Sequence, residues 1–427
     1  MGISPARTAA FDVLQAIETK RAFSSIVLPP FEERLSPPDR GLCHEAVLGV
    51  LRRQMLLDRV IDELTAGRKL DVEVRIALRL GVFQLLYLDR VPPHAAVNDS
   101  VSLVVRAKKS SAKGLVNAVL RKVTQAVPEL RFSDDTERIS VETSHPRWLL
   151  EKWRHDLGPE RAEQIAIANN APPVIAFRKT LKGREVVLNK NYRESGNVSG
   201  CYKAERLEPE LRWLADAALI YFQDEASQMV AAAVEIRPPG RFLDVCAAPG
   251  GKTTAIAARD AVGELFVAGD KYHSRTVFLK ENCHRQGVAP VNVVEYDATA
   301  ELPFADETFD SILIDAPCSG TGTIRHNPEL RYFIEPADLG RLQRTQLAIL
   351  TGASKVLKQG GSLVYSTCSL EREENEDVIG SFLSENKGFE LIKPDVPDRF
   401  ITGGGYARTF PDRDDMDGFF IAKLRRA

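Results

Sequence analysis

The stretch Leu243-Asp-Val-Cys-Ala-Ala-Pro-Gly-Gly-Lys-Thr253 is the strongest indicator of fold in the chain. It begins as an apolar strand, turns through small residues and enters a helix. Small residues let a ligand approach the backbone, and a helix start offers free N–H groups. The stretch is not a phosphate-binding P-loop, because Cys246 stands where that motif needs glycine. It also lacks the Gly-x-Gly-x-x-Gly pattern of a dinucleotide site.

Strand-like and helix-like segments alternate from about residue 226 onwards. Such alternation predicts an α/β domain with a parallel sheet, helices on both faces and ligands at the C-terminal ends of the strands. The predicted strands are Arg241–Cys246, Glu264–Gly269, Val291–Tyr296, Ser311–Asp315 and Ser362–Ser366.

Two acidic residues lie where predicted strands end. Asp270 closes Leu265-Phe-Val-Ala-Gly-Asp270, and Asp297 follows Val293-Val-Glu-Tyr296. A carboxylate after the second strand can bind a ribose diol, and one after the third can meet an adenine amino group. Either could instead be a turn aspartate that satisfies backbone donors. With the glycine-rich turn, the pair predicts a pocket for a nucleoside-bearing cofactor, S-adenosylmethionine.

Two cysteines also follow predicted strands. Ile312-Leu-Ile-Asp-Ala-Pro-Cys-Ser-Gly-Thr-Gly322 contains Asp315 and Cys318, and Leu363-Val-Tyr-Ser-Thr-Cys-Ser369 contains Cys368. A free cysteine is usually a buried packing residue. Two at neighbouring strand ends, one of them close to an aspartate, predict a single reactive site.

Cytosine C5 methylation needs such a set of groups. C5 is a poor nucleophile, but a thiolate that adds to C6 makes C5 enamine-like, so that it can attack a methyl sulfonium. An acid near N3 stabilises the developing charge, and a base then removes the C5 proton before the thiol leaves. Acids after Cys368 would disfavour a thiolate. We interpret them chiefly as first-turn charges of the next helix; they are Glu371, Glu373, Glu374, Glu376 and Asp377.

The first 135 residues read as helical. Ser36-Pro-Pro-Asp39 is a helix start, and residues 71–88, whose periodicity is ambiguous, are predicted helical from their length. Between Val101 and Val127 there is no acid. This run attracts phosphate and predicts RNA contact, although it could be a solvated helix face. Its basic residues are Arg106, Lys108, Lys109, Lys113, Arg121 and Lys122.

The middle section carries little functional signal. Residues 148–153 suggest a short amphipathic helix, Pro172–Phe177 a strand and Gly196–Gly200 a turn. The whole chain has 427 residues and a net charge of −2, which excludes a uniformly basic nucleic-acid coat. Six cysteines without a CxxC pair predict free thiols in a reducing cytoplasm and no metal site. We expect no signal peptide, no membrane span and a monomer.

The chain resembles the RsmB (Sun/Fmu) family of cytosine-5 RNA methyltransferases over nearly its whole length. The resemblance rests on five motifs: DVCAAPGGKT, DAPCSGTG, YSTCS followed by Glu374-Asn375-Glu376, a late Asp417-Gly-Phe-Phe420, and Gln223-Asp224-Glu225-Ala226-Ser227. It implies a Rossmann-like class I methyltransferase domain with a mostly parallel seven-stranded sheet at 226–427. An all-α NusB-like RNA-binding domain at 1–135 and a small α+β linker domain with RNA contacts at 136–225 would precede it.

The resemblance also implies roles for individual residues. Asp270 would hold the ribose, Asp297 the adenine edge, and Asp315 would sit between cofactor and base. Cys368 would attack C6, and Cys318 would help release the methylated product. Arg275 is expected among the cofactor-binding residues. The methionine and ribose parts would be wrapped by Cys246, Ala247, Ala248, Pro249, Gly250, Gly251 and Lys252.

The implied target is a cytosine of 16S ribosomal RNA, position 967. The base must be unstacked to reach a buried thiol. The segment Arg408–Gly418 departs from the Leu-Pro-type segment of the best-known RsmB proteins, so another rRNA or tRNA cytosine is an alternative. Two further alternatives are a DNA methyltransferase and an RNA-binding adaptor with a relic methyltransferase fold. DNA enzymes use the cysteine of the Pro-Cys motif, so the second cysteine, Cys368, favours RNA.

Overall fold

The computed structural model describes residues 2–236, 239–259, 263–288 and 291–427. It divides into two compact units. Unit 1 comprises Met1–Pro172 together with Ile324–Ile334, and unit 2 comprises Pro173–Thr323 and Glu335–Ala427. Within the described ranges, no helix is both long enough and apolar enough to cross a membrane.

Helices occur throughout the chain. In chain order they are α1 (Pro5–Lys20), α2 (Ser24–Glu32), α3 (Pro37–Arg52), α4 (Gln54–Thr65), α5 (Val72–Tyr87), α6 (Pro93–Arg106), α7 (Lys113–Gln125), α8 (Asp135–Thr143), α9 (Arg147–Leu157), α10 (Pro159–Ala168), α11 (Pro209–Asp216), α12 (Glu225–Ala233), α13 (Gly251–Ala257), α14 (His273–Gln286), α15 (Leu330–Phe333), α16 (Pro336–Val356), α17 (Glu376–Glu385) and α18 (Pro411–Asp414).

The described strands all belong to unit 2. They are β1 (Ile175–Lys179), β2 (Arg193–Glu194), β3 (Cys201–Ala204), β4 (Ile220–Phe222), β5 (Arg241–Asp244), β6 (Leu265–Asp270), β7 (Asn292–Glu295), β8 (Phe309–Asp315), β9 (Leu357–Thr367), β10 (Phe389–Ile392), β11 (Ala407–Arg408) and β12 (Phe420–Arg426).

Unit 1 is built from helices around one apolar core. The helix start predicted at Ser36 is confirmed, because its side chain accepts a hydrogen bond from the Asp39 backbone at the first turn of α3. The helix predicted at 71–88 is also confirmed, as α5. Residues 76–84 of α5 are all buried. A helix buried on every face carries no polar stripe, which explains the ambiguous periodicity.

Unit 1 extends beyond the predicted boundary at residue 135 and takes in α8, α9 and α10. It also contains Ile324–Ile334, which is remote in sequence. The buried Glu329 carboxylate accepts hydrogen bonds from the backbone and hydroxyl groups of Ser24. The buried Arg331 guanidinium donates to the Thr143 carbonyl and the Asn170 side chain. Contacts between residues so far apart in sequence cannot be recognised from local composition. The boundary predicted at residue 135 therefore differs from the division of the structure.

Unit 2 begins with a four-stranded antiparallel sheet in the order β2-β3-β1-β4. The strand predicted at Pro172–Phe177 is found slightly later, as β1. Beneath the sheet lies a separate apolar cluster that includes Phe177, Leu211 and Leu214, so α11 covers this sheet. The Arg178 side chain from β1 donates to the Gly251 carbonyl at 3.0 Å and to Thr254 Oγ1 at 2.7 Å. The small sheet therefore supports the first turn of α13.

The large sheet of unit 2 has the order β10-β12-β9-β8-β5-β6-β7, with β11 paired to β12. All neighbours from β9 to β7 are parallel, whereas β12 is antiparallel to both β9 and β10. The mostly parallel sheet is therefore confirmed, and each of the five predicted strands is present. Seven strands follow one another across the sheet, as expected, and β11 adds an eighth. The C-terminal ends of β5, β6, β8 and β9 lie along one edge of the sheet.

Candidate active site

The turn after β5 is held by groups from two neighbouring elements. Asn282 of α14 donates to the Pro249 carbonyl and Arg275 donates to the Ala248 carbonyl, each at 2.8 Å. The Ala247 backbone N–H donates to Gly269 of β6 at 2.8 Å. Gly250 has a φ of +101°, and a Cβ there would lie 2.7 Å from a Leu279 methyl group. Glycine is therefore required at this position.

Asp244, at the end of β5, belongs to this turn and was not among the predicted site residues. Its Oδ2 accepts from Thr253 Oγ1 at 2.7 Å, while its buried Oδ1 has no hydrogen-bond partner among the described residues. Burial raises the pKa of Asp244 to about 7. A buried acceptor without a partner fits a ligand that brings an N–H donor, as the ammonium of S-adenosylmethionine does. Its position in the motif Leu243–Thr253, at the end of the predicted strand, is the sequence signal that could have identified it.

Asp270 is buried at the end of β6, as a ribose-binding carboxylate would require. Its Oδ1 accepts from the Tyr272 backbone at 3.3 Å, and its Oδ2 lies 3.4 Å from Arg275 Nη2. Arg275 thus contacts both the turn carbonyl and this carboxylate. The structure brings Asp270 and Arg275 together beside the turn after β5.

Asp297 follows β7 and has both oxygens occupied. Its Oδ2 lies 2.7 Å from Lys271 Nζ, and its Oδ1 accepts from the backbone and hydroxyl of Thr299. The Lys271 ammonium, with these Thr299 donors, lowers the pKa of Asp297 to about 2. Asp297 therefore satisfies turn donors, as the alternative interpretation expected. Its contact with adenine stays a prediction.

Asp315 ends β8 and is paired with the lysine of the glycine-rich motif. Lys252 Nζ lies 2.6 Å from Asp315 Oδ2, and Ser366 Oγ donates to Asp315 Oδ1 at 2.9 Å. The Lys252 side chain therefore points toward the predicted reactive groups.

The Lys252 ammonium is the cation that the sequence did not place beside the cysteines. Burial by itself would lower the pKa of Lys252, but the charge and hydrogen bond of Asp315 outweigh burial and raise it. Attraction to Cys368 acts in the same direction. Lys252 Nζ also lies 5.0 Å from the centre of the Phe419 ring. The Lys252 ammonium therefore lies between Asp315 and Phe419 and close to Cys368.

Cys318 and Cys368 lie side by side, with 3.3 Å between their Sγ atoms. Both are half-buried. The hydrogen bond with Cys368 and burial raise the pKa of Cys318 well above that of a free thiol, and the charges of Glu374 and Asp315 add to the effect. The structure places the two sulfurs in contact, as predicted. The raised pKa favours the protonated form of Cys318.

The other cysteines have the surroundings of packing residues. Burial raises the pKa of Cys43 and of Cys201 to about 12, and that of Cys283 to about 11. Burial also raises the pKa of Cys246, inside the glycine-rich motif. Cys318 and Cys368 differ from these four because their sulfurs lie 3.3 Å from each other in the loops that follow two neighbouring strands.

The interpretation of the five acids as first-turn charges of the next long helix is confirmed for Glu376 and Asp377 and wrong for the other three: Glu371 precedes the one-turn helix Arg372–Glu374, and Glu373 and Glu374 lie within it. Glu376 and Asp377 occupy the first turn of α17. Glu374 is instead fully buried in the one-turn helix Arg372–Glu374, and its carboxylate binds both cysteine loops. Glu374 is six positions after Cys368, and the chain folds back so that its side chain contacts both cysteine loops. The sequence spacing alone does not reveal this fold-back.

A glycine contact joins the two cysteine loops to the segment before β12. The Gly322 backbone N–H donates to the Cys368 carbonyl at 2.9 Å, and the Gly418 N–H donates to the Gly322 carbonyl at 2.8 Å. A Cβ on Gly322 would lie 1.9 Å from the Gly418 oxygen. The Asp417-Gly-Phe-Phe420 motif therefore packs directly on these loops.

Two of the six basic residues predicted to contact RNA form ion pairs within unit 1. Arg106 pairs with Asp12 at 2.6 Å, and Lys109 pairs with Asp71 at 2.9 Å. The remaining four are exposed and form no ion pair within the described part of unit 1; they are Lys108, Lys113, Arg121 and Lys122. Acids distant in sequence thus neutralise two of the six predicted RNA contacts.

The sheet order, the glycine-rich turn after β5 and the carboxylates at the ends of β6 and β8 define a class I methyltransferase whose cofactor is S-adenosylmethionine. A family model described as 16S rRNA methyltransferase RsmB/F matches residues 231–425. A NusB family model matches residues 4–125, and a model of the RsmF/B-like ferredoxin-like domain matches residues 145–180.

Curated relatives match over almost the full length. The probable ribosomal RNA small subunit methyltransferase B of Bacillus subtilis is 32% identical, with 98% of each chain covered. That of Klebsiella pneumoniae is also 32% identical, covering 98% of this chain and 97% of the relative. The solved structure of PH0851 is 25% identical, has a TM-score of 0.83 and covers 100% of both chains. The chain belongs to the RsmB family of ribosomal RNA small subunit methyltransferases.

Proposed function

We propose that the chain transfers a methyl group from S-adenosylmethionine to C5 of a cytosine in 16S ribosomal RNA, through a covalent bond between Cys368 and C6. The observation that carries the proposal is the 3.3 Å separation of the Cys318 and Cys368 sulfurs. Curated relatives named as small-subunit rRNA methyltransferases support the substrate class. Cytosine 967 is the proposed target position.

The cofactor is proposed to be held by groups around the turn after β5. Asp244 would accept from the ammonium group, Asp270 would bind the ribose diol, and Asp297 would meet the adenine edge. The backbone of residues 246–251 would line the methionine part. When bound, S-adenosylmethionine supplies an electrophilic methyl group.

The reacting side chains then have separate tasks. Cys368, with the Lys252 ammonium near it, adds through its sulfur to C6 and places electron density on C5. The Lys252–Asp315 pair offers the N3 edge of the ring an ammonium donor, with Asp315 holding that ammonium in place. Cys318 stays protonated during addition. Once C5 carries the methyl group, a solvent base takes the C5 proton, the electrons of that C–H bond re-form the C5–C6 double bond, and the C6–S bond breaks. Cys368 then leaves as a thiolate, to which the adjacent Cys318 thiol can donate a hydrogen bond.

RNA binding is assigned to unit 1. Lys108, Lys113, Arg121 and Lys122 are exposed and free to meet phosphates. The target base must be unstacked before it reaches half-buried sulfurs, so a single-stranded or flipped cytosine is the proposed form. Ribosomal RNA as substrate and unbridged thiols together suggest a cytoplasmic location.

Methyl transfer from labelled cofactor to small-subunit rRNA and to DNA tests the reaction. We expect label in RNA as 5-methylcytosine, located by sequencing at position 967. Label only in DNA would reject RNA as the substrate, and label in another rRNA or in tRNA would reject the target. No transfer at all, with RNA binding retained, would support the adaptor.

A different target cytosine is the second candidate, and one observation bears on it. The segment Arg408–Gly418 packs on the cysteine loops: Arg408 Nη2 donates to the Leu370 carbonyl at 2.7 Å, and the Gly418 N–H donates to the Gly322 carbonyl at 2.8 Å. A sequence change in a segment so placed can alter which nucleotide fits. The sequencing experiment above separates the two targets.

A further inference from the structure

The buried Glu374 carboxylate has four hydrogen-bond donors around it. Its Oε1 accepts from the Ser319 backbone N–H and from Gln346 Nε2, both at 2.9 Å. Its Oε2 accepts from the hydroxyl groups of Ser319 and Ser369, the latter at 2.5 Å. Four lone-pair sites are what a carboxylate offers, so this one is fully used by the protein.

The donors of this cluster are the immediate neighbours of the two reactive cysteines. Ser319 follows Cys318 in the β8 loop, and Ser369 follows Cys368 in the β9 loop. The two serine hydroxyls are themselves 2.9 Å apart. Glu374 therefore joins the two loops at the residues next to the sulfurs. The four donors to its carboxylate are nitrogen and oxygen atoms, so Glu374 acts on the loops and not on the sulfurs through hydrogen bonds.

Helix α16 supports the same cluster from a third direction. The amide of Gln346 donates to Glu374 and, at 3.0 Å, to the Pro317 carbonyl, one residue before Cys318. The Tyr365 hydroxyl donates to the Glu374 carbonyl at 2.7 Å. Hydrogen bonds thus fix both the side chain and the backbone of Glu374. Because the side chain binds both cysteine loops, it also fixes the distance between them.

We propose that Glu374 is a positioning residue that holds Cys318 and Cys368 at the separation their two-step chemistry needs. The inference rests on the proposed function, in which one sulfur forms the bond to C6 and the other assists its release. Both sulfurs must then reach the same nucleotide. An error of about 1 Å in such an arrangement can cost about 100-fold in rate.

Two substitutions at this position have different expected effects. Glu374→Ala leaves the Ser319 N–H and the Gln346 amide buried without an acceptor, so the loops separate to admit water. Glu374→Gln keeps an amide oxygen for those two donors and turns its NH₂ toward the serine hydroxyls, which can rotate to accept. Glutamine therefore preserves most of the cluster, and alanine does not.

The sulfur spacing can be measured without RNA or cofactor, by bridging the thiols of the full chain with dibromobimane and mapping the bridged peptides. We expect Cys318–Cys368 bridging in the unsubstituted chain and in Glu374→Gln, and its loss in Glu374→Ala. Glu225→Ala is the matched control, since Glu225 is a buried carboxylate of unit 2 bound by Asn197 and Lys203. Unchanged bridging in Glu374→Ala would overturn the proposal, as would equal loss in Glu225→Ala.

Activity supplies the second readout. Glu374→Ala is expected to lower kcat about 100-fold with KM for the cofactor unchanged, and Glu374→Gln to restore most of kcat. If Glu374→Ala fails to fold, Ser319→Ala and Ser369→Ala together remove the two hydroxyl links, and the same loss of bridging is expected. An inactive unsubstituted chain with normal bridging would contradict the proposed function while leaving the positioning role intact. A kcat in Glu374→Ala equal to the unsubstituted chain would contradict the positioning role.

Discussion

The Lys252–Asp315 pair shows how one residue acquires a role from its surroundings. The sequence assigns Lys252 to the glycine-rich motif and so to the cofactor, but its ammonium is 2.6 Å from Asp315 and is attracted to Cys368. Position in a motif predicts where a Cα lies. The direction of a long side chain depends on partners elsewhere in the chain, which here come from β8 and β9.

Lys252→Met tests that role. It retains the apolar length of the side chain but removes the charge beside Cys368 and Asp315, so we expect kcat to fall about 100-fold or more while cofactor affinity changes little. Steady-state kinetics and calorimetric titration of the cofactor measure the two quantities. Lys358→Met is the control, because Lys358 pairs with Asp310 at 2.8 Å near the opposite ends of the strands. An equal fall in both variants would refute the assignment.

Asp244 makes stability depend on pH in a defined direction. Its pKa in the folded chain is about 7, above the ordinary value of 3.8, so between these values the folded state binds more protons than the unfolded state. Stability must therefore decrease as pH rises from about 4 to about 7 through this group. Asp244→Asn removes that contribution.

Chemical unfolding at several pH values measures the difference between the Asp244→Asn variant and the unsubstituted chain. We expect the variant to gain relative stability as pH rises through this window, with no further change above it. A difference that is constant with pH would show that burial does not raise the pKa of Asp244 in the folded chain.

At the scale of elements, the parallel part of the large sheet could be predicted and its antiparallel edge could not. Four of its strands contain short apolar runs and are followed by loops with glycines, aspartates or cysteines; they are β5, β6, β8 and β9. The length of each apolar run and the residues that flank it identify these strands. β10 and β12 lie beyond the reactive motifs and pair with strands already assigned. Strand pairing of that kind is decided by long-range packing, which local patterns do not contain.

Gly322→Ala tests the contact between the two cysteine loops and the segment before β12. The new Cβ would overlap the Gly418 oxygen, so we expect a loss of about 1–3 kcal/mol in the free energy of unfolding and a lower kcat. Gly380→Ala in the exposed face of α17 is the matched control, since nothing lies within 4 Å of its Cβ position. There alanine should stabilise the helix by about 0.5–1 kcal/mol. Equal behaviour of the two variants would contradict the loop packing.

At the scale of the whole molecule, the order of fold types could be predicted and the division of the chain could not. The family resemblance indicated helical, mixed and α/β parts in that order, and family models match each in turn. The inclusion of Ile324–Ile334 in unit 1 depends on Glu329 and Arg331 finding partners about 160 to 300 residues away. No local sequence pattern indicates that Ile324–Ile334 packs with unit 1.

RNA binding by unit 1 is tested by salt dependence. Replacing Lys108, Lys113, Arg121 and Lys122 by glutamine should weaken RNA binding and flatten the plot of log affinity against log salt, by about 0.7–0.9 for each lost phosphate contact. The control is the pair Arg106→Gln and Lys109→Gln, whose charges are already neutralised by Asp12 and Asp71. A slope unchanged in the fourfold variant would make these side chains ordinary surface.

The central claim is that Cys368 bonds to the base and that Cys318 is needed to break that bond. Incubating the Cys318→Ala and Cys368→Ala variants with small-subunit rRNA and cofactor, followed by denaturing gel electrophoresis, tests it most directly. We expect a slowly migrating protein–RNA adduct with Cys318→Ala, and neither adduct nor methyl transfer with Cys368→Ala. An adduct formed by Cys368→Ala, or full methyl transfer without that sulfur, would contradict the account.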